Sequence, residues 1–212
     1  MQDSVFRERL MNCLVLCFIF FAATCIAADK NATAEYASLL ERAKNGDQTI
    51  DFRRLRLAYA DSAAYENAPD TEPQKKAMWS ALKTKDFQAA VKNADIVLNA
   101  DYADMGAHYV EQVAFQELRN SDLSRIHAYI FRALLKSITD SGDGKSPETA
   151  YQVIEVHEEY VLLRALGVAL PKQQSSVQRN KHSFDKITFD DPQSGEQKII
   201  YFNVDIPMKH GL

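Results

Sequence analysis

The sequence predicts a mainly α-helical protein of tetratricopeptide-like antiparallel helical hairpins, closed by a C-terminal β-hairpin. Three observations carry this. Apolar residues recur at helical spacing in several runs between Tyr36 and Leu166. Two runs echo each other: Asp86-Phe87 opens one with Ala90, Ala94 and Val97, and Asp122-Leu123 opens another with Ile126, Ile130 and Ala133. Their offset is near the ~34-residue tetratricopeptide unit, whose helices bury their apolar stripes only by stacking on neighbours. After Gly167 the chain turns to β-branched and aromatic residues around a polar turn.

The first element is a targeting signal. Arg7 and Arg9 precede the apolar run Leu10 to Phe21, then small residues Ala22-Ala23-Thr24 and Cys25-Ile26-Ala27-Ala28. Charged, apolar, small is the order of a secretory signal, so residues 1–28 read as a cleaved signal peptide and the protein as periplasmic or secreted. An uncleaved anchor is the alternative, because the run is near the lower limit for spanning. A lipoprotein fits less well, because Ala22-Ala23-Thr24 lacks the leucine pattern expected before a lipidated cysteine. All three cysteines, Cys13, Cys17 and Cys25, lie in the signal. The mature chain then has no disulfide and no thiol nucleophile.

Residues 29–50 read as an N-terminal helix and linker, with Tyr36, Leu39, Leu40 and Ala43 on one face and Gly46 as the stop. Residues 51–212 form a single helical domain with a C-terminal hairpin at about 182–206. At its start Phe52, Leu55 and Tyr59 share a helix face, which leaves Arg53, Arg54 and Arg56 as a solvated face. Asn67 to Pro73 is a connecting loop, and Asn99 to Tyr102 occupies the turn between the two echoing units.

Phe131 to Gly167 is the chain's central stretch, two helical runs around the loop Asp140-Ser-Gly-Asp-Gly-Lys-Ser-Pro147. Gly142 and Gly144 permit positive φ there. Ser146-Pro147-Glu148 reads as N-cap, first residue and first-turn acid of a helix carrying Ala150, Val153, Ile154, Val161 and Leu162. Leu170 to Asn180 is polar and reads as loose chain. Phe184 to Phe189 and Lys198 to Ile206 then make the hairpin around Asp190–Gly195, packing Ile200, Phe202, Val204 and Ile206 inward.

With 212 residues, 46% hydrophobic content and a net charge of −4, the chain suits one cored domain and carries no nucleic-acid footprint. No membrane partner is expected beyond the signal segment. Gly144-Lys145-Ser146 resembles the end of a phosphate loop, but Thr139 stands where that loop needs glycine. His157-Glu158-Glu159-Tyr160 begins like a zinc-protease helix, but Val161 replaces the second histidine. Glu155, Glu158 and Glu159 then read as a solvated or lysine-paired face. Trp79, Phe87, Tyr102, Tyr109, Phe115, Tyr129 and Phe131 fall mostly at helical spacing and read as core. No catalytic residue, metal ligand or cofactor is assigned.

Several segments resemble a bacterial family of unknown function, domain-of-unknown-function family 4919. They are Asp51-Phe52, Leu55-Arg56, Ala58-Tyr59, Ala107-His108, His127, the run Ser137 to Ala150, Glu158-Glu159-Tyr160, Leu163, Leu166-Gly167 and Tyr201-Phe202-Asn203. The resemblance implies a secreted or envelope-located helical protein with a C-terminal hairpin, and implies no activity.

Two functions follow as expectations. The first is a non-enzymatic peptide- or protein-binding module of the cell envelope, using a concave helical surface. The alternative is a metal binder or hydrolase-type enzyme, in which antiparallel packing joins His108 and His127, with Glu111, Asp122 or Asp143, near the Asp140–Ser146 loop. The candidate binding residues are His108, His127, Asp140, Asp143, Lys145 and Ser146.

Overall fold

The computed structural model describes residues 30–168 and 170–211; the signal read at 1–28 lies outside them. Helix α1 (30–44) buries Tyr36, Leu39 and Ala43, the face its spacing predicts. Helix α2 (Phe52–Ala60) starts at Asp51, whose carboxylate accepts from the Arg53 and Arg54 amides. One turn, α3 (Ala63–Glu66), leads to α4 (Glu72–Thr84), whose C-cap Lys85 adopts φ 62°.

The next three helices each begin on a short polar side chain. Asp86 accepts from Ala89 N to open α5 (Phe87–Ala100), Asp104 from Ala107 N to open α6 (Met105–Glu117), and Asn120 from Leu123 N to open α7 (Ser121–Thr139). Each cap satisfies an orphan amide and contributes about 1 kcal/mol. Neighbours α4 to α7 pack in chain order. Between α4, α5 and α6 lies a core of Met78, Ala90, Ala94, Val97, Leu98, Ala107, Val110 and Ala114. Its alanines let the backbones approach closely. A second core joins α1, α2 and α7 to the C-terminal elements through Leu55, Tyr59, Leu134, Ile138, Leu162 and Phe202. Truncating Leu134 or Ile138 to alanine there costs about 2–5 kcal/mol.

The C-terminal part holds a small sheet. Strands β1 (Tyr151–Gln152), β2 (Gln173–Arg179), β3 (His182–Asp190) and β4 (Gln197–Asn203) lie in the order β1-β4-β3-β2. Strand β1 runs parallel to β4 and the other pairs are antiparallel. Helix α8 (His157–Ala165) precedes β2, and α9 (Asp205–Lys209) follows β4. The protein is thus mainly helical with a small C-terminal sheet.

Four expectations change. The segment read as loose contains β2, joined to β3 by Asn180 and Lys181 at φ 52° and 68°. Consecutive left-handed residues are what a tight hairpin turn requires. The strand escaped detection because an edge strand with both faces largely wet shows no apolar alternation; Val177 alone is half-buried. The helix expected from Ser146 onward is only a 3₁₀ turn at Pro147–Thr149, and Ser146 makes no side-chain cap. Pairing of Tyr151 and Gln152 with Phe202 and Asn203 draws the chain straight, so α8 begins at His157. The last strand ends at Asn203, and Ile206 sits half-buried on α9. Arg56, Glu158 and Glu159 are buried, not solvated.

The glycines of the central loop have separate reasons. Gly144 has φ +67°, and a Cβ there would sit 2.6 Å from the Tyr151 ring. At Gly142 the constraint is close approach, since a Cβ would lie 2.3 Å from the Thr149 carbonyl oxygen. The Asp143 and Gly144 amides both donate to that oxygen, and Tyr201 N donates to Gly144 O. The loop is thereby fastened to β4.

Candidate functional site

A cleft of about 430 Å³ opens between α4 and α8. Met78, Trp79 and Val161 form its apolar wall; Lys76, Tyr160 and Arg164 stand around it. The Arg164 guanidinium carbon lies 4.3 Å from the Trp79 ring centroid, and Tyr109 stacks on Trp79 at 5.8 Å. A cation on an indole face is the strongest cation–π pairing among the aromatic side chains. Trp79 is the only tryptophan of the chain.

Four charged side chains underlie the cleft. Lys75 Nζ lies 3.1 Å from both Asp104 Oδ2 and Glu155 Oε2. His157 reaches the same two acids, Nε2 to Asp104 at 3.2 Å and Nδ1 to Glu155 at 2.7 Å. Burial alone would lower His157, yet the two carboxylates hold it well above its ordinary value, so the ring is charged at neutral pH. Burial would likewise lower Lys75 and raise Asp104. Their opposite charges prevail, holding Lys75 up and Asp104 down. Two cations and two anions cancel. The neighbouring Asp101 is pushed up by burial and then by Glu155 and Asp104.

A second charged node is closed off completely. Arg56 grips Glu158 with two parallel bonds, Nε to Oε1 at 2.9 Å and Nη2 to Oε2 at 2.6 Å. Its other donors reach Ser137 Oγ at 3.0 Å and the Gln152 carbonyl at 3.2 Å, while Glu158 also accepts from Ile154 N at 2.8 Å. Arg56 thus ties α2 to α7, β1 and α8, with both side chains 2% exposed. Beside it Glu159 is fully buried, and burial followed by Asp185 and Glu158 pushes its carboxyl up to about 8.

The structure brings together part of the expected histidine site. His108 Nδ1 lies 3.0 Å from His127 Nδ1, which lies 2.8 Å from Glu111 Oε2. His108 Nε2 is 2.9 Å from the Tyr102 carbonyl, so Nε2 carries the proton and Nδ1 accepts. His127 Nδ1–H then faces both acceptors. Burial, then His127, lowers His108 to about 3, which keeps it neutral. Asp122 pairs instead with Arg125 on the surface. Among the described residues no group of three His, Cys, Asp or Glu side chains is placed to hold a metal ion.

The loop candidates lie elsewhere. His127 and Asp140 are separated by thirteen residues of α7, about 20 Å of helix. Asp140 pairs with Lys136, and Asp143 accepts from Lys145 N and Thr149 Oγ1, with Lys145 Nζ at 3.3 Å. Ser146 Oγ faces Thr149 Oγ1 at 3.2 Å. These contacts stay within the loop or its flanking helix end. A cavity of about 440 Å³ beside the loop is lined by Ser141, Arg179, His182 and Asn203, but by none of Asp140, Asp143, Lys145 and Ser146. Asp143 and Lys145 edge a smaller cavity of about 300 Å³ with Tyr151 and Lys198.

Sequence reasoning missed Lys75 and Asp104 and gave His157 no role, while the lysine-paired alternative for Glu155 is the one Lys75 realises. The ion pair between Lys75 and Glu155 spans 80 residues, which no local spacing reveals. A faint signal was present in Glu155, just ahead of α8, and His157, its first residue. No curated protein and no solved structure matches the chain. A family model matches residues 25–211, which take in all of the fold described above, and the chain belongs to that family, described as a domain of unknown function (DUF4919).

Proposed function

We propose that the protein is an exported, non-enzymatic module that binds a peptide or protein segment in the cleft between α4 and α8. The observation that carries this is the cleft itself: an apolar wall of Met78, Trp79 and Val161 beside the cations Lys76 and Arg164. Such a surface suits a short segment with an apolar side chain and an acidic neighbour. Aromatic and arginine side chains in partly desolvated pockets are those that most often anchor protein partners.

The reading includes a tetratricopeptide-like arrangement of α4 to α7, which the helix spacing supports. Helices α4 and α6 start at Glu72 and Met105, and α5 and α7 at Phe87 and Ser121, offsets of 33 and 34 residues. Each helix contacts the next, and α4 also contacts α6, as stacked helical hairpins do. Helix α8 packs on α6 and leaves the cleft open toward α4. Export rests on the charged, apolar, small order of residues 1–28.

The test uses Trp79 as a built-in reporter. Peptides selected from a random display library on the immobilised protein are titrated while tryptophan emission is read. Binding with a saturable emission change supports the proposal. Peptides that bind without moving Trp79 place the site elsewhere, and a library that enriches nothing contradicts a peptide-binding role.

A further inference from the structure

The outer edge of the sheet points to a partner of its own. The strand order leaves β2 paired on one side only among the described residues. An edge strand presents a row of backbone donors and acceptors, which proteins ordinarily guard with charge, proline or a bulge. Here Pro171, Lys172 and Arg179 guard only the ends, and the six residues between, Gln173 to Gln178 (QQSSVQ), have no charge and no proline. It pairs with β3 one residue to one, without a bulge. The opposite edge, β1, is only two residues long and offers little to pair with.

We propose that β2 pairs antiparallel with β2 of a second copy of this chain, joining two four-stranded sheets into one continuous sheet. Charge disfavours the two neighbouring registers, one position away on either side. With a two-fold axis through Ser176, Gln173 faces Arg179 of the second copy, Gln174 faces Gln178, and Ser175 faces Val177. Just outside, Lys172 meets Asn180 and Pro171 meets Lys181. Every cation therefore opposes a neutral residue. A slip of one position one way sets Lys172 against Arg179, and a slip the other way sets Lys172 against Lys181. Like charges directly opposite each other destabilise a strand pair, so both slips are disfavoured.

The faces agree as well. Antiparallel partners project their side chains to the same side, so α8 of both copies lies on one face of the joined sheet. Gln174 and Ser176 point to that side, where they already donate to Asp185. Ser175 and Val177 occupy the other face. They are exposed and half-buried, so substituting them leaves the subunit core intact.

Sedimentation velocity of the purified protein over a concentration series tests this. A small strand-edge contact gives a reversible dimer that half-forms below about 100 μM, a modest affinity. Ser175→Lys with Val177→Lys sets cation against cation in both cross-copy pairs and weakens the dimer by about tenfold or more. Ser175→Lys with Val177→Glu makes the same two pairs attractive and leaves the dimer at least as tight as the parent. Circular dichroism verifies that each variant is folded. A parent protein that stays monomeric throughout overturns the proposal. So does a dimer on which the two double variants have the same effect.

Discussion

Among the described residues, the Arg56–Glu158 node and the Lys75–His157 cluster both join buried cations to buried acids but differ in closure. At Arg56 every strong donor has a partner, two of them on Glu158, and both side chains are out of water. Under the cleft, Lys75 and His157 share Asp104 and Glu155, but Lys75, Glu155 and His157 keep 15%, 22% and 28% exposure. The first cluster locks four elements and leaves no room for a ligand. The second balances its charges at the base of an open cavity and leaves Trp79, Lys76 and Arg164 available above it. Closure marks a structural node, and partial exposure beside an apolar wall marks a candidate site.

Breaking the closed node has the largest expected effect. Arg56→Ala leaves Glu158 buried without its partner and lowers unfolding free energy by about 3–5 kcal/mol, read by urea denaturation. Arg56→Met combined with Glu158→Leu loses much less, because apolar replacement of both members removes the uncompensated charge. Equal losses in the two variants would show that Arg56 acts through packing instead.

Next comes Glu159, adjacent to the closed node but without a cation, its Oε2 accepting only a long bond from Gln174 Nε2 at 3.5 Å. Its folded value of about 8 lies above the ordinary carboxyl value of 4.5, so the folded state holds the proton more tightly. Its contribution is therefore complete below pH 4.5 and is lost as pH rises toward 8, by up to about 4 kcal/mol. Glu159→Gln flattens that fall in a melting-temperature series between pH 5 and 8. A parent curve without the fall rejects the assignment.

The open cluster is more tolerant. Asp104→Asn keeps an acceptor for Ala107 N but removes a charge from Lys75 and His157, and costs about 2 kcal/mol. The raised His157 contributes stability that is present below pH 6.5 and lost as pH climbs through its folded value. In Asp104→Asn that loss moves to lower pH, which histidine NMR titration reads directly. At the bottom of the scale, Lys136→Ala breaks an exposed pair with Asp140 and changes stability by less than about 0.5 kcal/mol.

Much of the helical part was legible in the sequence because its signals are local. Asp51 and Asp86 begin helices, Gly46 and Gly167 follow helix ends with positive φ, and Ala90, Ala94 and Val97 lie on the buried face. Strands β3 and β4 were legible for the same reason, since Phe184, Ile187, Phe189, Ile200 and Phe202 are buried. Tyr151 and Gln152 were not, because their strand exists only by pairing with residues 51 positions later. Polar β2 was hidden by its exposure. Site residues proved hardest: antiparallel packing does bring His108 to His127, but Arg56 finds Glu158 across 102 residues, and nothing near either announces it.

The most direct test of the cleft is amide hydrogen exchange with and without a selected peptide. The account predicts slowed exchange in α4 and α8 on peptide addition, with β2 and the Asp140–Ser146 loop unchanged. Protection confined to that loop, or to α6 and α7 around His108 and His127, would contradict it.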